Sequence, residues 1–459
     1  MTKYILNGIL YPDFYASNFK IAAFKVFKLH KSVGQPKLLK EINNNHVLNL
    51  LVQNRQISRA QLAKLTGLSR ATISMLVDEL IEIGLVSEAG QGSSSGGRPP
   101  IILQFNPNTA YALGAHMQDN EWTVVATNLD GTIIHSLGSP IPQNSPEQAV
   151  NTLSFLVQQI ISQAAGAPIL PAIGIGSPGL VDISSGTIQS AVDIGWFQVP
   201  LAKLIQEKLG LPAYVVNRSK GGALAEMWSG GVNRNQDLIY ISIGTGVAAG
   251  ILHQGQLYHG ANSSAGELGH VTIIPDGPAC PCGNHGCLQQ LISEHALAAR
   301  AREKLKSGMP SSLYALAGHH PERLTAYDVI DAAEEGDSLA CEVIDTAAEY
   351  LAIAVGNLIN LFNPEKIVIG GPVGNRSRRL ATSLQEKASY RAMAYPLSAV
   401  HISTSTLGEQ AGAIGAAVLV LQNAHQLLFQ LSPTAAPSAK PTTSAATASV
   451  STTPTARQT

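Results

Sequence analysis

Apolar positions fall into three successive rhythms along the chain. From residue 37 to about residue 54, Ile42, Val47, Leu48, Leu50 and Leu51 recur at helical spacing. Ser58-Arg59-Ala60-Gln61 has the form of a capping box, in which the Ser and Gln side chains each satisfy the other's backbone N–H. It opens a short helix carrying Leu62, Ala63 and Leu65. Gly67 permits a turn, Ser69 caps a third helix, and Ile73, Leu76, Val77, Leu80 and Ile81 form its buried stripe up to Gly84. Two helices across a short Gly-containing turn, the second with small polar residues on its free face, predict a helix-turn-helix. Residues 85–88 and 101–105 read as strands around the loop AGQGSSSGGRPP, which is a wing.

The candidate DNA contacts follow from that layout. They are Ser58, Arg59, Gln61 and Ser69 at the helix starts, and Arg70, Thr72 and Ser74 near the beginning of the recognition helix, where base edges are reached. The last is Arg98 behind Gly96 and Gly97, placed to enter a minor groove or grip phosphate. The competing reading is a three-helix protein-binding module with a flexible linker.

Beyond Pro107 the rhythm changes to strands alternating with helices, which predicts an α/β fold. Residues 111–126 and 132–137 read as strands about the turn Asp130-Gly131. Helices are expected over 146–165, 201–209, 222–228, 294–306, 327–335, 338–362 and 409–421. Strands are expected from 172 into the loop GIGSPG, over 213–216, within 238–251, and over 366–369. Gly244-Thr245-Gly246 is a turn at which backbone amides can approach a phosphate, or simply a tight turn between buried strands. The third rhythm is no rhythm. Residues 430–459 are nearly all Thr, Ala, Ser and Pro, cannot bury a core, and are expected to be disordered. Residues 1–36 include the basic amphipathic run KIAAFKVFKLHK and receive no function.

Composition narrows the class. With 459 residues the chain exceeds one compact core, and 45% hydrophobic with 13% charged residues suits a soluble globular protein. No apolar run approaches the roughly 18 residues of a membrane helix, so no membrane partner is expected. The amino-terminal pattern is not that of a secretory signal, and four cysteines, three of them clustered, favour the cytoplasm. Charge is uneven. Residues 1–98 hold 12 Lys/Arg against 6 Asp/Glu, while the remainder holds 18 against 25. A basic head on an acidic body fits a double-stranded DNA partner.

The densest chemistry lies in GELGHVTIIPDGPACPCGNHGC, residues 266–287. His270, Cys280, Cys282 and Cys287 form a Cys₃His set that suits tetrahedral Zn²⁺ and leaves no open coordination position, so the metal would be structural. The alternative is three buried or reactive thiols without metal. A staple that fixes His270 also fixes the nearby Glu267 carboxylate.

These motifs in this order resemble the ROK family of bacterial sugar kinases and sugar-responsive repressors. The resemblance spans residues 37–421 and rests on GELGH with CPCGNHGC, GIGSPGLVD from Gly174, SIGTGVAAG, and IVIGGPVG from Ile367. The preceding SRAQLAKLTGLSRATIS and SSGGRPP look like the repressor branch, which includes xylose and N-acetylglucosamine repressors. The resemblance implies an actin-like ATPase (sugar kinase) fold of two lobes. Winged helix-turn-helix residues 37–106 would precede an effector domain over 107–425, with lobe 1 at 107–230 plus 406–425 and lobe 2 at 231–405. It also implies a homodimer or tetramer, and a sugar cleft involving Ser177, Gly179, Asn217, Glu267 and His270, with Gln289 where the family has Glu.

The departures from the family decide the function. The kinase general base follows Asn217 in the family, and here that position is Arg218, which stays protonated and cannot accept a proton. The phosphate loop Asp-x-Gly-Gly-Thr is replaced by His116-Met117-Gln118-Asp119-Asn120, with bulkier residues where the backbone would approach phosphate. The expected function is therefore a non-enzymatic, DNA-binding regulator, read as a repressor of carbohydrate genes with a sugar or sugar-phosphate effector. Arg218 either binds an anionic group on that effector or pairs with Glu267. The alternatives are a sugar kinase with an appended DNA-binding head, and a regulator that senses a protein partner.

Overall fold

The computed structural model describes residues 36–92, 99–118, 120–142, 145–164, 167–230, 236–424 and 427–428. Arg98, the amino-terminal extension and the carboxy-terminal tail lie outside the described residues. The head consists of α1 (Pro36–Asn54), β1 (Gln56–Ser58), α2 (Arg59–Thr66), α3 (Arg70–Glu82), β2 (Val86–Gln91) and β3 (Ile101–Phe105). Val47, Leu51, Leu62, Ile73, Leu76, Val77 and Leu80 are buried between the helices, which explains their spacing. The wing strands form a three-stranded sheet in the order β1-β3-β2. β1 is too short to register as an apolar alternation, and it pairs through Ser58 with Ile102.

The body begins with β4 (Tyr111–Gln118), β5 (Glu121–Asn128) and β6 (Ile133–Pro140), followed by α4 (Pro146–Gln163) and β7 (Ile169–Ser177). The stretch 111–126 is thus two strands rather than one. Gln118 pairs with Glu121, so only two residues separate them, and Asn120 takes a positive φ of 61°. A small side sheet, β8 (Leu180–Asp182), β9 (Thr187–Ala191) and β10 (Trp196–Val199), precedes α5 (Leu201–Leu209), β11 (Ala213–Asn217) and α6 (Arg218–Ser229). The first large sheet has the order β11-β7-β4-β5-β6, with β11, β7 and β4 parallel.

The second large sheet, β14-β13-β12-β15-β16, is built from β12 (Leu238–Ile243), β13 (Val247–His253), β14 (Gln256–Leu257), β15 (Lys366–Gly370) and β16 (His401–Thr404). Helices α7 (Gln289–Ile292), α8 (Glu294–Lys306), α9 (Leu313–Leu316), α10 (Ala326–Glu334) and α11 (Ser338–Phe362) lie between β14 and β15 in sequence. Next come α12 (Gly371–Arg376), α13 (Arg378–Ala388) and α14 (Ala394–Ala399), and α15 (Ala411–Leu421) follows β16. An apolar core of α8, α10, α11 and the second sheet includes Leu297, Val329, Val343, Leu351, Ile239 and Ile367. Among the described residues no helix is long and apolar enough to cross a membrane.

α6 and α15 cross between the two large sheets. Helix α6 begins at Arg218, four residues before the expected start, because Gly221 and Gly222 serve close packing instead of breaking the helix. A Cβ on Gly415 of α15 would stand 1.7 Å from the Gly221 carbonyl oxygen, so only glycine permits this approach. The body is thus built on two five-stranded sheets with helices between and around them, preceded by a winged helix-turn-helix head.

Candidate functional site

In the head, several residues that the sequence offers to DNA are engaged internally. Ser58 is buried, and the capping box is complete: Gln61 N–H donates to Ser58 Oγ at 3.2 Å, and Gln61 Oε1 accepts from Ser58 N–H at 2.9 Å. Arg59 forms ion pairs with Asp78 at 2.8 Å and Glu88 at 3.3 Å and also reaches the Ser74 carbonyl, so its guanidinium ties the start of α2 to α3 and β2. Ser69 caps α3 by accepting from Thr72 N–H at 3.1 Å. Arg70 is exposed at the first turn of α3, with Thr72 and Ser74 half-buried on the following turn.

In the body, a cleft of about 320 Å³ is lined by Gly179, Asn217, Arg218, Glu267, His270 and Gln289, among others. Ser177 stands behind its wall, fully buried, with its hydroxyl donating to the Pro178 carbonyl. Asn217 is the N-cap of α6. Its side-chain oxygen accepts from Ser219 N–H at 2.9 Å and its amide donates to the Gly179 carbonyl at 2.8 Å, so this side chain holds two walls together.

Arg218 donates to the Thr245 hydroxyl at 3.3 Å, and no ion pair joins it to Glu267 among the described residues. Instead the Glu267 carboxyl is pushed up by burial and drawn back by His270 and Lys220. The Lys220 ammonium, itself pushed down by burial, donates to the Ser263 carbonyl beneath the cleft. His116, at the end of β4, is lowered to about 4 by burial and then by the Arg218 charge, and therefore stays neutral.

Gly246 forms part of the cleft floor. A Cβ there would stand 3.5 Å from Gln289 Oε1 and 4.0 Å from both Arg218 Nη2 and Asp193 Oδ2, so three polar groups converge on the bare glycine. Asp193 and Lys220 stand at or beside the site without having been singled out by the motifs, whereas Thr245 comes from the Gly244-Thr245-Gly246 turn and meets Arg218 through its side chain. Asp193 belongs to a short turn before β10 with no apolar periodicity, and Lys220 is masked by the two glycines that follow it.

Beside the cleft, one ligand atom each from His270, Cys280, Cys282 and Cys287 lies within 4.8 Å of the others, a set that can hold a metal ion. His270 Nδ1 is 3.6 Å from Cys280 Sγ, and Cys282 and Cys287 sulfurs are 3.8 Å apart. The connecting chain is nearly devoid of regular structure. Bridges between Thr272 and Cys287 and between Ala279 and His285, with Gly283 N–H donating to the Cys280 carbonyl at 2.9 Å, fold it back on itself. Burial and the neighbouring Cys280 and Cys282 sulfurs push the Cys287 thiol up to about 12, while a backbone hydrogen bond from Asn284 holds the Cys282 thiol below its usual range, so it is Cys287 that needs a cation to lose its proton.

A winged helix on a two-lobed, kinase-like body with a sugar-sized cleft defines a class that joins DNA binding to carbohydrate recognition. The ROK family model matches residues 114–423 and a winged helix-turn-helix DNA-binding model matches residues 42–87. The chain belongs to the ROK family. It is 34% identical over 393 residues to the xylose repressor of Caldicellulosiruptor bescii, covering 85% of this chain and 98% of that protein. It is also 39% identical over 256 residues to a glucokinase of Halalkalibacterium halodurans, covering 56% of this chain and 77% of the glucokinase. The crystal structure of a ROK family transcriptional regulator, a homologue of the E. coli MLC protein, superposes with a TM-score of 0.74 at 30% identity, over 85% of this chain and 98% of that one.

Proposed function

We propose that this protein is a sugar-responsive, DNA-binding transcriptional repressor of carbohydrate uptake or catabolic genes. The observation that carries the reading is the covalent union of an exposed recognition helix with a cleft lined by Arg218, Glu267 and His270, in which Arg218 falls, by the family resemblance, where kinases carry their base. Repressor relatives matched over most of the chain support it. Arg70, Thr72 and Ser74 reach base edges, and Arg98, outside the described residues, enters a minor groove or grips phosphate. Ser58, Arg59, Gln61 and Ser69 orient the helix pair, Ser58 from a buried position and the others through bonds of Arg59 to Asp78, Gln61 Oε1 to Ser58 and Ser69 Oγ to Thr72. The protein acts in the cytoplasm as a homodimer or tetramer on a twofold operator.

Sugar hydroxyls are read by Asn217, Glu267, His270 and Gln289 near Gly179, and Arg218 takes the anionic group of a phosphorylated or acidic sugar. In support, Arg218 is bonded to a neutral hydroxyl and not to Glu267, although the Asp193 carboxylate opposes it across Gly246. Calorimetry with paired sugars and sugar phosphates tests this assignment; equal affinity for both excludes it. The metal is Zn²⁺. A tetrahedral ion with Zn–S about 2.3 Å and Zn–N about 2.0–2.1 Å sets edges of about 3.8 Å and about 3.6 Å, which fit the measured separations. With four protein ligands it supplies rigidity to the loop and no catalysis.

The protein does not phosphorylate its ligand. A permanently charged guanidinium cannot take the proton of an attacking hydroxyl, and the β4–β5 hairpin leaves two residues where a glycine-rich loop would cradle phosphate. The glucokinase likeness favours the rival reading, and ATP-dependent turnover of a hexose would establish it. The decisive test is a gel shift on an operator from the neighbouring carbohydrate genes, with and without a panel of sugars and sugar phosphates. Salt-insensitive binding, or affinity untouched by Arg70→Ala with Arg98→Ala, overturns the reading.

A further inference from the structure

One helix links the cleft to the DNA-binding head. The start of α6, at Asn217 and Arg218, lines the cleft. Twelve residues make a rod of about 18 Å, and its last two residues, Trp228 and Ser229, press on the turn between β5 and β6. A Cβ on Gly131 of that turn would lie 2.5 Å from Ser229 Oγ and 2.8 Å from Trp228 Cδ1, and Gly131 holds a φ of +84°. The contact exists because the residue is glycine.

The far side of the same turn is bonded to the head and its exit strand. Arg55, the αL residue ending α1, donates to Asp130 Oδ2 at 2.7 Å, and its own carbonyl accepts from Phe105 N–H of the wing. Asn128 Nδ2 donates to Asn108 Oδ1 at 3.1 Å, and Leu129 N–H donates to the Pro107 carbonyl at 2.9 Å. The turn does not yield internally, because Asn128 Oδ1 accepts from both Asp130 and Thr132 N–H groups. Leu129 and Trp228 belong to the apolar cluster that holds Val47 and Leu51 of α1 and Leu427 and Leu428 after α15.

We propose that α6 carries effector occupancy to the head, through Trp228 and Ser229 against Gly131 and then through the Asp130–Arg55 ion pair. A ligand drawn to Asn217 and Arg218 acts on one end of a helix clamped along its length by α15. The Glu226 carboxylate, which accepts from Ser405 Oγ after β16, links that helix to the second sheet as well. A change in the angle between the lobes therefore reappears at the other end as a displacement of the turn. The inference rests on the sugar-responsive reading for the existence of an effector, and adds the route and the residues that carry the coupling.

The test uses the full chain and measures the factor by which xylose, glucose and their phosphates change operator affinity. Asp130→Asn keeps shape and removes charge. It is expected to shrink that factor about two- to fivefold, the worth of one such ion pair. Calorimetric affinity for the same probe, and operator affinity without it, stay within about twofold. Arg55→Glu with Asp130→Lys restores the factor, and Gly131→Ala lowers it as Asp130→Asn does. A wild type that responds while Asp130→Asn responds equally overturns the relay alone. A drop in basal operator affinity with the factor unchanged makes the pair a mere brace and overturns it too. A wild type that no probe affects removes the sugar-responsive reading and the relay with it.

Discussion

The two ends of the cleft rest on different supports. At one end Glu267 and His270 sit in a stretch from residue 258 to residue 288 with no strand and only a single 3₁₀ turn at Leu268–His270. Its shape comes from four ligand atoms gathered within 4.8 Å. At the other end Arg218 sits on the first turn of α6, and Thr245 sits in the tight turn between β12 and β13, both set by sheet pairing and helix packing. On the proposed reading, recognition at the first end depends on a metal ion, and at the second on the apolar core. The substitutions that separate the ends should separate those dependences.

The largest effect belongs to the metal end. Cys282→Ser removes one of four ligands from a site whose relatives in kind contribute on the order of 10 kcal/mol to local folding. Metal content by atomic absorption should fall to near zero and the effector response should vanish with it, while operator binding without effector persists. Retained response in a metal-free Cys282→Ser protein would show that the loop holds Glu267 without the ion.

Glu267→Ala comes second and divides the metal end itself. The carboxylate is not among the four clustered ligands, so metal content should be unchanged, while the loss of a charged hydrogen-bonding partner costs about 1.5–3 kcal/mol, or roughly 10- to 100-fold in effector affinity. Unchanged calorimetric affinity would mean that the cleft no longer recognises sugar and that the staple alone remains.

How far each end could be read from the sequence follows the same division. The metal end was legible because coordination needs particular side chains at short spacing, and His270, Cys280, Cys282 and Cys287 carry that need in their identities. Helices Leu201–Leu209, Glu294–Lys306 and Ser338–Phe362 were legible for a comparable reason, as their apolar periodicity is long and uninterrupted. The start of α6 was not. Gly221 and Gly222 look like helix breakers until Gly415 and Tyr240 are seen to need their missing side chains. Asp193 and Lys220 reach the site by tertiary placement alone, and residues 371–399 fold into three helices absent from the expected elements, although α13 buries Leu380, Leu384 and Ala388 at helical spacing. Arg59 is a basic residue at a helix start, where spacing alone does not distinguish a DNA contact from an ion pair. Its partners Asp78 and Glu88 are 19 and 29 residues away.

Arg218→Gln addresses the packed end. The variant keeps a neutral amide donor, two bonds short of the guanidinium's reach to Thr245, and loses the charge. Affinity for a sugar phosphate should fall about tenfold, the scale of one charge-assisted hydrogen bond, while affinity for the parent sugar and metal content hold. Equal losses for both ligands would mean that the guanidinium shapes the cleft without discriminating charge, with Asp193 as its counterion across Gly246.

The remaining effect lies outside the cleft and checks that the head reads DNA independently of both ends. Arg70 is exposed at the first turn of α3, and Arg70→Ala removes one cation near the groove. If that guanidinium contacts a base edge, operator affinity falls by about 1–3 kcal/mol and discrimination relaxes at one position. If it contacts phosphate, affinity weakens uniformly across sequences and the slope of log K against log salt drops by about one. Effector affinity stays constant in either case, because the cleft shares no residue with α3. Measuring operator and scrambled DNA at several salt concentrations separates the two outcomes. No change on either DNA would remove Arg70 from the interface and leave Thr72, Ser74 and the wing to make it.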